Sequence, residues 1–301
     1  MDNLLLGEQV LCLSLVDCTL ALLCGLLLAG FWIERSGASP RGASSTSFRL
    51  SLRWPALALL VALCAQFWLL TMEMAGQSGP GTILQSMPAV ASTHAGMVMV
   101  WMLSLSVLLA GAALLGRRGA ARAQNPICAV LLAAIFFFHA ALGHAASDGD
   151  FTRTELLQFL HLVAMALWTG GVFVSALWAL PLLGNAEGPT YAAYLRQLSN
   201  TSAWSASTAI LTGGLKGWMA IDAKLGNLAQ PGWSRILLAK LSLVCIALGL
   251  GFLHRRKVHD QRHEWSTPEK RTLVWTLRVE ALCLALVIFL SAWLSSVEPP
   301  G

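Results

Sequence analysis

The chain has 301 residues, of which 56% are hydrophobic and only 12% are charged, and its formal net charge is +5. Soluble domains carry about 25% charged residues, and here the apolar residues form long blocks, so a soluble globular fold is excluded. The positive residues lie between these blocks, where they report membrane orientation, and we therefore expect no nucleic-acid partner. All seven cysteines lie inside the blocks, which excludes a secreted disulfide framework.

Eight apolar blocks follow one another, each about 20 residues or longer, which is the length of a helix that crosses a bilayer. Backbone groups in lipid must satisfy their own hydrogen bonds, so such blocks are expected to be helices. The sequence predicts an all-α integral membrane protein with about eight transmembrane helices in two halves, 1–150 and 151–301. The predicted spans are 8–33, 52–75, 92–116, 126–147, 155–183, 198–222, 233–254 and 272–296.

The start of the chain, MDNLLLGEQV, has no positive n-region, so we expect the first span to be retained rather than cleaved as a signal peptide. Between the second and third spans, Pro80 and Pro88 are typical of turns, and a loop is predicted there.

Lysine and arginine are distributed unevenly among the connecting loops. The loops after the first, third, fifth and seventh spans carry 14 of these residues, and the loops between carry 3. Positive residues are retained in the cytoplasm. The sequence therefore predicts that both termini lie outside the cytoplasm, in a multi-pass protein of the bacterial inner membrane.

Four histidines lie within the spans, and this orientation places all of them in the outer half. His94 and His144 are near the outer ends of the third and fourth spans. His139 is about 12 Å below the outer end of the fourth span, and His161 is about 9 Å below that of the fifth. Ionisable residues at such depths are functional-site candidates, although one histidine at a helix end is often only a hydrogen-bonding residue.

Methionines show the same asymmetry. Met72 and Met74 end the second span, Met97 lies in the outer part of the third, and Met165 lies near the midplane of the fifth. Thioether sulfur selects Cu(I), and imidazole accepts copper in either oxidation state. The spacings of His94 to Met97 (i,i+3) and of His161 to Met165 (i,i+4) put each pair on one helix face. These eight histidines and methionines are the predicted ligands of a copper ion, Cu(I) or Cu(II), with His161 as the primary ligand and His94 as its expected partner.

The sequence leaves the roles of several other polar residues undecided. Asp17 lies near the middle of the first span, where a carboxylate needs a partner. Lys240 and Glu280 lie on sequential spans and either pair or snorkel separately. His259 and His263, in the basic loop after the seventh span, either receive copper at its exit or belong to a solvated loop.

The segment FLHLVAMALWTGGVF (159–173) resembles the His-then-Trp-Gly-Gly helix of the copper resistance protein D family, CopD/PcoD. Residues 198–300 resemble that family's C-terminal core through GWSRILLAKLSLV, which contains Lys240, through Arg278-Val-Glu280, and through the terminal Pro-Pro. The likeness over the first four spans is mainly one of topology. The family commonly has Asn near the position of His254, so the resemblance gives His254 no role.

The resemblance implies an inner-membrane protein of copper homeostasis that receives copper from a small periplasmic protein of CopC type and moves it inward. Such a protein is a carrier rather than an enzyme, and the chain has no nucleotide-binding motif. Two alternatives stay open. One is a b-type cytochrome or quinone-linked oxidoreductase, in which two histidines hold a haem. The other is a membrane assembly factor without metal.

Overall fold

The computed structural model describes residues 3–36, 51–76, 79–115, 121–142, 152–184, 188–219, 231–260 and 265–296, and every regular element in these ranges is helical. The helices are α1 (Asn3–Arg35), α2 (Arg53–Met74), α3 (Pro80–Ala91), α4 (His94–Leu115), α5 (Ala121–Ala141), α6 (Arg153–Val174), α7 (Leu180–Leu183), α8 (Gly188–Met219), α9 (Pro231–Val258) and α10 (Thr267–Ser296). A π-helical turn, Ser175–Ala179, joins α6 to α7.

Six helical stretches in the described ranges are long and apolar enough to cross a membrane, so the chain is a multi-pass membrane protein. Two predicted spans fall short of these criteria. The apolar part of α5, Asn125–Ala141, is shorter, and residues 143–150 beyond it lie outside the described ranges. Helix α8 has 32 residues, but its serines, threonines and asparagine make it too polar. The six are Leu5–Arg35, Arg53–Met74, His94–Leu115, Arg153–Leu183, Gly232–Val258 and Thr267–Ser296.

The loop predicted between the second and third spans is wrong, because this segment contains α3. Pro80 stands in the first turn of α3, where its missing N–H costs no helical hydrogen bond. Pro88 lies inside the helix, close to its end at Ala91. Proline therefore begins this short helix and does not prevent it.

The helices pack in two groups. Helices α1, α2, α4 and α5 contact one another in sequence around a ring, which we call the N-bundle. Helices α6, α8, α9 and α10 form a second ring, the C-bundle. Helix α1 also packs directly against α6 and α10, so the two bundles share one interface. The division into halves at residue 150 stays a prediction.

The α1–α6 contact is close because two glycines face each other across it. A Cβ on Gly170 would lie 1.9 Å from the carbonyl oxygen of Ala21, and a Cβ on Gly25 would lie 2.0 Å from that of Gly170. Small residues allow membrane helices to approach backbone to backbone. Gly170, the first glycine of the segment Trp168-Thr169-Gly170-Gly171, therefore sets the distance between α1 and α6.

Contacts at helix ends define two faces of the molecule. Gln9 near the start of α1 donates to Glu73 near the end of α2, at 3.0 Å. At the opposite face, Arg53 at the start of α2 donates to the carbonyl oxygen of Ala113 near the end of α4, at 3.3 Å. The face containing the start of α1 is the one predicted to be periplasmic, and we call it the outer face.

Candidate metal centre

Asp17, the carboxylate in the middle of α1, has a hydrogen-bond partner on α5. The imidazole of His139 donates from Nε2 to Asp17 Oδ1 at 2.9 Å. The side chain of His139 is 7% exposed and that of Asp17 is 22% exposed, so the pair lies within the protein. Pairing offsets the desolvation of the carboxylate, and it ties α5 to α1 inside the N-bundle.

The second ring nitrogen of His139 is buried and has no hydrogen-bond partner in the described part of the chain. Because Asp17 accepts the Nε2 proton, a neutral His139 presents a lone pair at Nδ1. Metal-binding histidines usually donate their other N–H to a carboxylate or carbonyl, which fixes the tautomer and raises the basicity of the ligand. The Asp17–His139 pair has this arrangement.

Two methionines lie at the depth of His139. Trp101 of α4 stacks on Phe138 of α5 with 6.0 Å between ring centroids, so residues near 101 are level with His139. Met99 and Met102 flank Trp101 and are 1% and 0% exposed, while Trp101 itself is 54% exposed. The N-bundle core therefore holds thioether sulfur and an unpartnered imidazole nitrogen at one level.

His161 is oriented by α8. Its Nδ1 lies 3.1 Å from the carbonyl oxygen of Ala209 and 3.0 Å from the Thr212 hydroxyl. A carbonyl only accepts, so Nδ1 carries the proton and Nε2 keeps a lone pair. Gly213 makes room for this packing, since a Cβ there would be 3.2 Å from the imidazole Cε1. Met165, one turn further on, is half-buried against the core.

Two lysines lie near His161. Lys216 donates to Gln158 Oε1, and the positive charges of Lys216 and Lys240 both act on the His161 imidazole. Like charges repel, so this electrostatic environment disfavours a cation at His161. The environment of His139 differs, because its nearest charged partner is the carboxylate of Asp17.

His94 and Met97 are exposed at the outer end of α4, and Met97 is 49% exposed. Met72 and Met74 lie at the end of α2, which packs beside α4. These four residues share the outer rim of the N-bundle. They are not brought to His161, because α4 packs against α2, α3 and α5 while His161 faces α8. His144 lies outside the described residues.

The histidines of the two bundles face different neighbours. His139 turns to α1 and His161 to α8, whereas a bis-histidine haem requires two imidazoles that face each other. Among the described residues, no three His, Cys, Asp or Glu side chains converge as metal ligands. The described His, Cys, Asp and Glu side chains alone therefore do not complete a metal site around His139.

The C-bundle encloses a second polar cluster that sequence reasoning missed. A cavity of about 360 Å³ lies between α6, α8, α9 and α10, and Trp168, His254 and Glu280 line it. Glu280 is 2% exposed; it accepts from Trp168 Nε1 at 3.4 Å and lies 3.3 Å from His254 Nδ1. Lys240 precedes His254 by fourteen residues, which is about 21 Å of helix. Of the two alternatives left open by the sequence, Lys240 therefore does not pair with Glu280, and His254 lies beside the carboxylate instead.

His259, just past the end of α9, is exposed. Partial burial and the positive charges of Arg255 and Arg196 lower the pKa of its imidazole below the usual value, so the neutral form is favoured. His263 lies outside the described residues.

Both parts of the chain match family models. Residues 192–294 match copper resistance protein D, and residues 7–154 match the copper resistance protein D-like N-terminal domain. Over 183 residues the chain is 30% identical to the copper transport protein CutJ of Bacillus subtilis (strain 168). The alignment covers 55% of this chain but only 30% of that relative. No solved structure matches the chain.

Proposed function

The chain belongs to the copper resistance protein D family, and from this premise we propose that it receives copper at the outer face and moves it toward the cytoplasm through the N-bundle. The observation that carries the proposal is His139, whose Nε2 is held by Asp17 and whose buried Nδ1 is left without a partner among the described residues. A nitrogen lone pair in that position suits a copper ion.

The proposed path begins at the outer rim of the N-bundle. Exposed His94 and Met97, with Met72 and Met74 of the neighbouring helix, take up the ion. His139 then binds it inside the bundle, with Met99 and Met102 as sulfur donors. The pair of His161 and Met165 is a weaker station, because the positive charges of Lys216 and Lys240 disfavour a cation there.

In the proposed transfer, a small periplasmic copper-binding protein of CopC type delivers copper to this protein. The protein itself lies in the bacterial inner membrane. Support for this comes from the family and from the exposed rim, where a partner can reach imidazole and thioether groups directly. His139 is buried, so the rim has to mediate the transfer.

The test uses purified full-length protein titrated with Cu(I) against a competing chelator. His139→Gln keeps an amide donor for Asp17 but removes the imidazole, so the carboxylate is not stranded. We expect the affinity to fall about 100-fold or more, since losing a ligand costs at least as much as losing its supporting carboxylate. X-ray absorption at the copper edge should show sulfur and nitrogen neighbours in the parent, and it should lose a nitrogen in the variant.

Phe136→Leu is the matched control, because it trims a buried ring one turn away on the same helix. It should bind copper as the parent does. A His139→Gln protein that binds Cu(I) as tightly as the parent would show that the centre lies elsewhere. A parent protein that neither binds Cu(I) nor accumulates copper in vesicles would contradict the proposed function itself.

A further inference from the structure

The cavity of the C-bundle contains a carboxylate–imidazole pair for which the N-bundle path has no use. Glu280 of α10 is almost completely buried, and the His254 side chain is 14% exposed. Serines of α8, including Ser199, Ser202 and Ser207, line the same cavity. A carboxylate at this depth in a membrane protein is costly, and such residues usually serve cation or proton movement.

The hydrogen bonds around His254 assign its protons. The hydroxyl of Thr276 lies 3.0 Å from the carbonyl oxygens of Thr272 and Leu273, and it donates its single proton to them. The Thr276 oxygen is therefore an acceptor for His254 Nε2, which is 2.8 Å away. With its proton on Nε2, a neutral imidazole has a lone pair at Nδ1.

That lone pair faces another acceptor. His254 Nδ1 lies 3.3 Å from Glu280 Oε2, and neither atom has a hydrogen-bond partner among the described residues. Two lone pairs this close repel each other in a low-dielectric site. One added proton removes the repulsion, whether it sits on the carboxyl or on the imidazole, and it leaves the pair with no net charge.

The surrounding groups provide no substitute for this proton. Helix α9 contributes Arg255, whose guanidinium donates to Ser199 and Asn200 of α8. Helix α10 contributes the thiol of Cys283, three residues after Glu280. Helix α6 presents Trp168, which donates to the other carboxyl oxygen, and α8 presents serines. Helix α1, which packs on α10, adds no titratable side chain to the lining that the structure describes.

We propose that Glu280 and His254 share one exchangeable proton, which leaves the cavity when a monovalent cation enters it and returns when the cation departs. The inference rests on the proposed copper transport, and it adds the C-bundle cavity to the proposed path after His139, with Cu(I) as the monovalent cargo. One positive charge replaces another, so the net charge of the buried cavity stays constant. Inward movement of copper is thereby coupled to outward movement of protons.

The test uses full-length protein in sealed vesicles, with Cu(I) uptake and internal or external pH followed together. The parent should move one proton against each copper ion, and its uptake should respond to an imposed pH gradient. Glu280→Gln and His254→Asn should each abolish both the proton movement and the response to the gradient. If a single variant folds poorly because its buried partner is left unpaired, the double variant, which changes both residues, provides the test instead.

Glu269→Gln is the matched control on the same helix. Glu269 is half-buried and accepts from Ser266 at the start of α10, and glutamine can replace glutamate in that cap. This variant should keep the parent's proton movement. Copper uptake by the parent without proton movement, or proton movement that survives Glu280→Gln, would overturn the coupling while leaving copper transport intact. Absence of copper binding and uptake in the parent would instead overturn the transport on which the coupling rests.

Discussion

A carboxylate inside an apolar helix is stable only when another group offsets its lost hydration. Asp17 meets this requirement through His139, and the same bond fixes which nitrogen of His139 carries a proton. Asp17 is thus a positioning residue in the proposed centre. It does not need to touch copper in order to control the affinity of the ligand that does.

Asp17→Asn tests this role at the residue scale. The amide oxygen can still accept from Nε2, but the negative charge that raises the basicity of His139 is lost. We expect Cu(I) affinity to fall about 10–100-fold, while X-ray absorption still shows the histidine nitrogen at copper. Asp17→Glu should restore part of the affinity. A purely structural role would lower the yield of folded protein and leave the affinity of the folded fraction unchanged.

The sequence predicts the residues of this centre only in part. His139 is a candidate because it is an ionisable residue within a span, and Asp17 stands out for the same reason. Their pairing is not predictable from spacing, because 121 residues lie between them and each is on a different helix. Met99 and Met102 are likewise recognisable as sulfur donors, but only the stacking of Trp101 on Phe138 brings them level with His139.

Among the elements, α1 and α6 hold the two bundles together. Their contact at Gly25 and Gly170 leaves no space for a side chain. Gly170→Ala places a methyl group within 1.9 Å of the Ala21 carbonyl oxygen, so the helices must separate. Overpacking of this kind costs about 1–3 kcal/mol. We expect a lower unfolding temperature in detergent and a lower folded yield.

Gly249→Ala is the control for this substitution. Gly249 is exposed in the middle of α9, and a Cβ there meets no atom within 4 Å. Its unfolding temperature should match that of the parent. Equal stability of the Gly170 and Gly249 variants would show that α1 and α6 do not pack as closely as described.

The end of α9 provides the second test at this scale. Partial desolvation, together with the charges of Arg255 and Arg196, lowers the pKa of His259 and favours its neutral form, and the same positive charges repel a copper ion. We therefore expect the double variant His259→Ala, His263→Ala to leave copper accumulation in cells unchanged. A clear fall in accumulation, at equal protein level, would assign these histidines to the exit of the path.

At the scale of the molecule, apolar block length identifies helices well but does not specify their packing or exact ends. The predicted sixth span, 198–222, corresponds to α8, which begins ten residues earlier at Gly188. Its middle turns carry polar residues, among them Ser199 and Ser202, that face the C-bundle cavity and α9 rather than lipid. A hydropathy pattern cannot distinguish these two surroundings, since it records composition and not neighbours.

The orientation of the whole molecule in the membrane stays a prediction, and it determines which compartment each proposed site faces. The loops at one face carry 14 lysines and arginines against 3 at the other, and such a bias sets orientation. Reporter fusions after Gly119 and after Gln261 should therefore read cytoplasmic, and a fusion at the C-terminus should read periplasmic. The reverse pattern would put the rim of His94 and Met97 in the cytoplasm, and copper would then enter the N-bundle from inside the cell.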